Sequence, residues 1–231
     1  MYLPAGYSEQ RTRQFPVLYM QDGQNLFDPA TAFGGVHWRM GETADELIGQ
    51  GAIQPLIIVG VWNMGKARIR EYTPSRMPRL GGGKGEPYTR MLLDELMPFI
   101  EKQYRVAGGL ENTGLGGSSL GGLVALYAGL RFPHVFGKLA ALSPSIWWGG
   151  GWMNNFVKDA RIDPRPRIWL DGGTKESPRF VPQMERFRDI LRAKGWQEGL
   201  DLHFQIFEGG EHNEANWAQR VGPFLRFLFP P

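Results

Sequence analysis

Thr113-Gly114-Leu115-Gly116-Gly117-Ser118-Ser119-Leu120-Gly121-Gly122-Leu123-Val124-Ala125-Leu126-Tyr127 is the stretch on which the fold turns. An apolar, glycine-rich segment runs into Gly117-Ser118-Ser119-Leu120-Gly121, a G-x-S-x-G pattern, and a helical run from Leu120 to Leu130 follows. Strand, sharp turn and helix in that order form the setting of a nucleophile elbow. The glycines answer a steric need, because a neighbouring Cβ would collide with the adjoining strand and helix. The turn also sets Ser119 at a helix N-terminus, where free N–H groups and the dipole favour negative charge. The plainer alternative is a glycine-rich turn with a capping serine.

Outward from this segment, strand and helix signals alternate. Val17-Leu18-Tyr19-Met20, Leu56-Ile57-Ile58-Val59, Leu139-Ala140-Ala141-Leu142, Arg167-Ile168-Trp169-Leu170 and Leu202-His203-Phe204-Gln205-Ile206-Phe207 read as strands. Continuous apolar runs of this length suit strands covered on both faces, as in a parallel sheet. Helical patterns lie over Met91–Tyr104 (with Pro98 as a kink), Leu120–Leu130, Met184–Leu191 and Trp217–Phe229. The expectation is an α/β fold with right-handed crossovers. Trp62 to Pro87, with Gly81-Gly82-Gly83 and Gly85, is the least regular stretch, a long loop of functional or mobile character.

Composition narrows the class. The chain has 231 residues, 32 of them glycine, a share about twice the usual ~7%, while apolar content of 42% and charged content of 21% are ordinary for a globular protein. The length fits one domain spanning 1–231. With no cysteine there is no disulfide scaffold, thiolate metal site or sulfur nucleophile. The net charge is +3, and the arginines are spread from Arg11 to Arg226 without a dense basic block, which argues against a nucleic-acid partner. No run approaches the ~18 apolar residues of a membrane span. No basic, apolar and cleavage-site sequence opens the chain. Met1-Tyr2-Leu3-Pro4 instead enters what reads as a strand end, suggesting a missing leader or a domain cut from a longer parent, with cytoplasmic and secreted locations both open.

A serine needs a base, and the base needs an acid to orient it. Of the four histidines, His203 lies inside a strand pattern, His134 follows a helix end and His37 sits in a loop beside Trp38. His212 follows the last strand through Glu208-Gly209-Gly210-Glu211, where strand ends converge on the ligand-binding edge of such sheets. The loop after Arg167–Leu170 holds Asp171-Gly172-Gly173-Thr174-Lys175-Glu176, and both Asp171 and Glu176 are candidate acids. Asp171 ends the strand directly, whereas Glu176 lies beyond a turn and could reach sideways. The chain order Ser…Asp/Glu…His is that of α/β-hydrolases. An oxyanion hole would take the N–H of Leu120 and one from the loop after the first strand, for which Gln24 is the choice. No metal or cofactor is required by this chemistry.

Met20-Gln21-Asp22-Gly23-Gln24-Asn25-Leu26-Phe27-Asp28 resembles the D-G-Q-N-L-F-D segment of the esterase family that includes enterochelin esterases, S-formylglutathione hydrolases and feruloyl or acetyl-xylan esterases. Gly117–Gly122, Ser143-Pro144-Ser145-Ile146-Trp147-Trp148, Gly173-Thr174-Lys175-Glu176 and Gly210-Glu211-His212-Asn213 resemble its later blocks, in order, over nearly the whole chain. The resemblance implies an α/β-hydrolase fold with a mostly parallel central sheet, helices on both faces and no large cap domain. It also implies Ser119 as nucleophile, Glu176 as acid and His212 as base, with Asp171 in reserve. Asn25, Arg70, Trp147 and Trp148 are candidate substrate-binding residues, Arg70 from a family-like block Arg68-Ile69-Arg70-Glu71-Tyr72-Thr73-Pro74. The absence of a long cap insertion favours an open cleft and a small-molecule or polysaccharide ester, such as a short-chain acyl, acetyl or feruloyl ester of a carbohydrate. A siderophore lactone and acyl transfer to an alcohol acceptor are the alternatives.

Overall fold

The computed structural model describes residues 1–231. Strands β1 (Val17–Gln21) and β2 (Ile57–Val61) are joined through helix α1 (Met40–Gly49). After β2 come a one-turn helix α2 (Arg68–Glu71), a short antiparallel pair β3 (Arg76–Met77) and β4 (Gly81–Gly82), and helices α3 (Gly85–Met91) and α4 (Met97–Gln103). The remaining units are β5 (Thr113–Ser118), α5 (Leu120–Arg131), β6 (Lys138–Leu142), α6 (Trp148–Asp159), β7 (Arg167–Gly173), α7 (Phe180–Ala193), β8 (Leu202–Phe207), α8 (Glu214–Ala218) and α9 (Val221–Leu228).

Six strands form one sheet in the order β2-β1-β5-β6-β7-β8, and every neighbouring pair is parallel. Every residue of β1 and β5 is buried, because helices cover both faces. One face packs a core of Leu115, Leu123, Leu126, Leu139 and Leu170 with side chains of α5 and α7, such as Phe187. The other packs Leu18, Ile58 and Trp169 against α1 and α9 through Leu47, Phe224 and Leu228. The edge strand β8 is the exception to the apolar-run pattern, with only Leu202 fully buried.

The chain order reverses direction across the sheet between β1 and β5: β2 lies on one side of β1 and all later strands on the other. Loops leaving β1 and β5 therefore diverge to opposite faces and open a crevice at the strand C-termini. Register brings the ends level. Met20 pairs with Gly116, Ser118 with Leu142, and Leu142 with Asp171. Asp22, Ser119 and Ser143 thus follow immediately beyond one edge, level with Gly172 near the end of β7.

Two expectations about regularity are corrected. Trp62–Pro87 is not structureless; its elements are two to four residues long, too short to show a period in sequence. The run Trp217–Phe229 is two helices, broken where Arg220 turns its side chain into the protein, only 2% exposed. Near Pro98, Leu92–Leu96 widens so that the Met97 N–H reaches back to Leu92 O, a π-turn on the N-terminal side of the imino acid. No helix is long and apolar enough to cross a membrane.

Candidate active site

Ser119 stands between β5 and α5 with φ 56° and ψ −122°, a conformation that L-residues rarely adopt. Its N–H donates to Leu142 O at 3.0 Å, and its carbonyl accepts from Ser145 N at 3.0 Å, which pins the turn to the end of β6. A Cβ at Gly117 would lie 2.8 Å from the Gly121 carbonyl carbon and 2.9 Å from the Gln21 Cβ. The turn is therefore closed to any side chain at that position.

His212 bridges two strand ends. Its Nε2 lies 2.9 Å from Ser119 Oγ and its Nδ1 lies 2.7 Å from Glu176 Oε2. An ionised carboxylate can only accept, so Nδ1 carries the proton and Nε2 is the acceptor for the serine hydroxyl. Trp217 packs edge-on against the imidazole, with ring centroids 4.9 Å apart.

Glu176 is held from behind. Its side chain is 2% exposed, and Oε1 accepts from Gly173 N at 2.7 Å and Ser143 Oγ at 2.6 Å. Ser143 Oγ also accepts from Trp217 Nε1 at 3.0 Å and Arg220 Nη1 at 2.9 Å. Both of those groups are donors only, so the single Ser143 proton must point to Glu176. Oε2 is left for the histidine. Close approach of the two loops requires glycine, since a Cβ at Gly173 would meet Gly210 O at 2.2 Å.

Asp171 sits one layer deeper. It is fully buried, pairs with Arg220 Nη1 at 2.8 Å and accepts from Trp169 Nε1 at 2.6 Å. Burial pushes its carboxyl up to about 6, against the opposing pull of Arg220 and Trp169. Asp171 does not touch His212; it anchors the arginine that supports Ser143.

The pocket in front of Ser119 has a volume of about 360 Å³ and is lined mostly by polar residues, among them Gln24, Asn25, Asn63, Arg68 and Glu214. Gln24 lies in a single 3-10 turn, Gly23–Asn25, and Leu120 opens α5, so neither N–H has an intrahelical acceptor, and none is supplied elsewhere in the backbone. Asn25 lies in this wall, donating to Glu214 Oε1 at 3.0 Å and accepting from Phe33 N at 3.0 Å. Asp22, in a left-handed conformation, grips Arg68 through two bonds of 2.7 Å.

Three sequence candidates lie elsewhere. Trp148 is 2% exposed, a core residue whose Nε1 donates to Ser75 O at 2.8 Å; it has no face left for a substrate. Trp147 is 43% exposed but borders a different hollow, beside Ile146 and Asn154. Arg70 lines a separate cavity with Trp62, Met64 and Tyr88, and makes no ion pair. Residues two apart on a helical turn point to different sides, which is why Arg68 and not Arg70 enters the Ser119 pocket. That periodicity was the available signal for Arg68. Glu214 had none beyond proximity to His212, and Ser143 only its place at the end of β6 and at the head of the family-like block Ser143–Trp148.

A parallel sheet with a serine on a strand-to-helix turn, and a histidine behind the last strand, defines an α/β-hydrolase. Comparison with known proteins agrees: residues 1–228 match the Esterase family, and the chain belongs to it. It is 28% identical over 233 residues to the endo-1,4-beta-xylanase/feruloyl esterase of Xylanibacter ruminicola, covering 99% of this chain but 29% of that protein. It is 26% identical to the ferri-bacillibactin esterase BesA of Bacillus subtilis, covering 99% of this chain and 81% of that one. Among solved structures, an IroE-like serine hydrolase from Shewanella oneidensis superposes with a TM-score of 0.79 at 23% identity, covering 98% of this chain and 73% of that one, a likeness of fold. The protein is a carboxylic ester hydrolase.

Proposed function

We propose that the protein hydrolyses esters through an acyl-enzyme on Ser119, with His212 as base and Glu176 as the acid that orients it. The observation that carries this reading is the unbroken path Ser119 Oγ–His212–Glu176, with bonds of 2.9 and 2.7 Å. His212 Nε2 takes the Ser119 proton as Oγ bonds to the ester carbonyl carbon. The carbonyl oxygen gains negative charge, for which the free N–H groups of Gln24 and Leu120 serve as the oxyanion hole. Collapse breaks the ester C–O bond, and His212 returns the proton to the departing alcohol. Water then loses a proton to His212 as it attacks the acyl carbon, the Oγ–C bond breaks, and Ser119 is reprotonated as the acid leaves.

The wall of the pocket favours short acyl or hydroxylated substrates over long aliphatic ones, since only Phe33 and Trp217 among its residues are apolar. Together with the feruloyl-esterase relative, this supports acetyl, feruloyl or other short acyl esters of carbohydrates. The ferri-bacillibactin esterase relative supports a second reading, hydrolysis of a siderophore lactone. Single-turnover assays of wild type and Ser119→Ala on p-nitrophenyl acetate test the chemistry. Full turnover by the variant would overturn it. A panel of acetyl-xylan, methyl ferulate and a catecholate trilactone then separates the substrate classes by kcat/KM.

A further inference from the structure

Two charged groups in the Ser119 pocket have no part in the chemistry just described. Arg68 commits Nε and Nη2 to the two oxygens of Asp22, at 2.7 Å each, and its Nη1 has no acceptor in the chain. Glu214, half-buried on the same pocket wall, accepts from Asn25 Nδ2 through Oε1 at 3.0 Å, while Oε2 meets no donor side chain. No basic side chain forms an ion pair with Glu214, and the only ion pair of Arg68 is with Asp22. Burial holds the Glu214 carboxyl above its ordinary range, against the pull of its own backbone N–H, His212 and Arg68.

Neither free atom is sealed from solvent, but a substrate filling the pocket displaces that water and leaves each in need of a polar partner. An anionic substituent would satisfy Arg68 but repel Glu214, and a cation the reverse. A hydroxyl satisfies both, because it donates one proton and accepts on oxygen. Position selects which half of the ester carries it. Glu214 follows His212 by two residues, and His212 Nε2 is the atom that hands a proton to the departing alcohol.

We propose that Arg68 and Glu214 form a hydroxyl-recognition subsite for the alcohol half of the ester, selecting polyol or sugar esters over simple alkyl esters. The subsite rests on the Ser119 reading above. A site built to bond a substrate hydroxyl rejects the analogue that lacks it, since its own polar groups are then left unpaired.

Glycerol 1-monoacetate and n-propyl acetate share the acyl group and the three-carbon alcohol and differ in hydroxyls. Their kcat/KM ratio, divided by the ratio of their alkaline hydrolysis rates, should be about tenfold or more in favour of the glycerol ester in the wild type. Glu214→Gln keeps an acceptor for Asn25 but turns the other end of the side chain into a donor. It should bring the normalised ratio down about fivefold or more. A wild-type ratio near unity overturns the subsite without need of any variant, as does an unchanged ratio in active Glu214→Gln. Hydrolysis of both esters by Ser119→Ala at wild-type rates would instead overturn the Ser119 reading, and the subsite with it.

Discussion

Asp171 and Glu176 both leave the C-terminal end of β7, and only the second reaches the histidine. Asp171 still lies in register with Leu142, so its side chain is trapped in the sheet beside Arg220 and Trp169. Glu176 comes after the Gly173-Thr174 turn, far enough beyond the sheet for its side chain to return over the strand end and meet His212. One carboxylate is built into the frame and the other is presented by it. Ser143 joins them, taking a bond from Arg220 and giving one to Glu176. Place in the chain order is therefore not enough to bring a buried carboxylate to the histidine; reach decides.

The contrast can be broken most sharply at its outlet. Ser119→Ala should lower kcat on p-nitrophenyl acetate by about 10⁴-fold or more while the circular-dichroism spectrum stays that of the wild type. Glu176→Gln comes next, with a loss of about 10²–10⁴ in kcat and little change in urea midpoint, because the amide keeps an acceptor for Gly173 N. Asp171→Asn keeps an oxygen for Arg220 and Trp169 while removing the carboxylate charge, so its kcat per folded molecule should fall far less than that of Glu176→Gln, by about tenfold or less. If Asp171→Asn proved the slower enzyme, the two assignments would have to be exchanged.

Asp171 also gives the protein a pH response. Burial raises Asp171 from 3.8 to about 6, so between these values the folded chain holds a proton there that the unfolded chain has lost. Its contribution to stability thus grows as pH falls through 6. Measured as wild type minus Asp171→Asn, stability should rise by about 1–3 kcal/mol between pH 7 and 4.5, with the other carboxylates cancelling in the difference. A flat difference would mean that Arg220 keeps Asp171 ionised throughout. Ser143→Ala removes the hydroxyl between the two acids and should cost about tenfold in kcat with KM less affected. The smallest effect belongs to Trp148→Phe, which strips Ser75 O of its donor: about 1 kcal/mol in stability, and turnover within twofold per folded molecule.

The main strands, the elbow, His212 and both candidate acids were legible because each is written locally. Val17–Met20 and Leu202–Phe207 announce themselves by apolar runs between turns, and the elbow by glycines that no other residue could replace. The 40–49 helix was missed for the opposite reason: only Met40, Ala44 and Leu47 of its ten residues are buried, one narrow stripe. Trp148 misled because an aromatic beside a family-like block looks the same whether it faces a cleft or the core. Its direction is set by three successive glycines, Gly149 to Gly151, all with positive φ.

By itself the sequence determined a parallel α/β sheet, a serine on a closed turn and the order of that serine, two carboxylates and a histidine along the chain. These depend on neighbours within a few residues, through steric exclusion at glycine and the periodicity of burial. Only the tertiary structure decided which carboxylate meets the imidazole, that Arg68 enters the pocket in place of Arg70, and that Glu214 shares that pocket. Those choices rest on where separate strand ends fall relative to one another, and register and helix phase place side chains to within an ångström where spacing along the chain cannot.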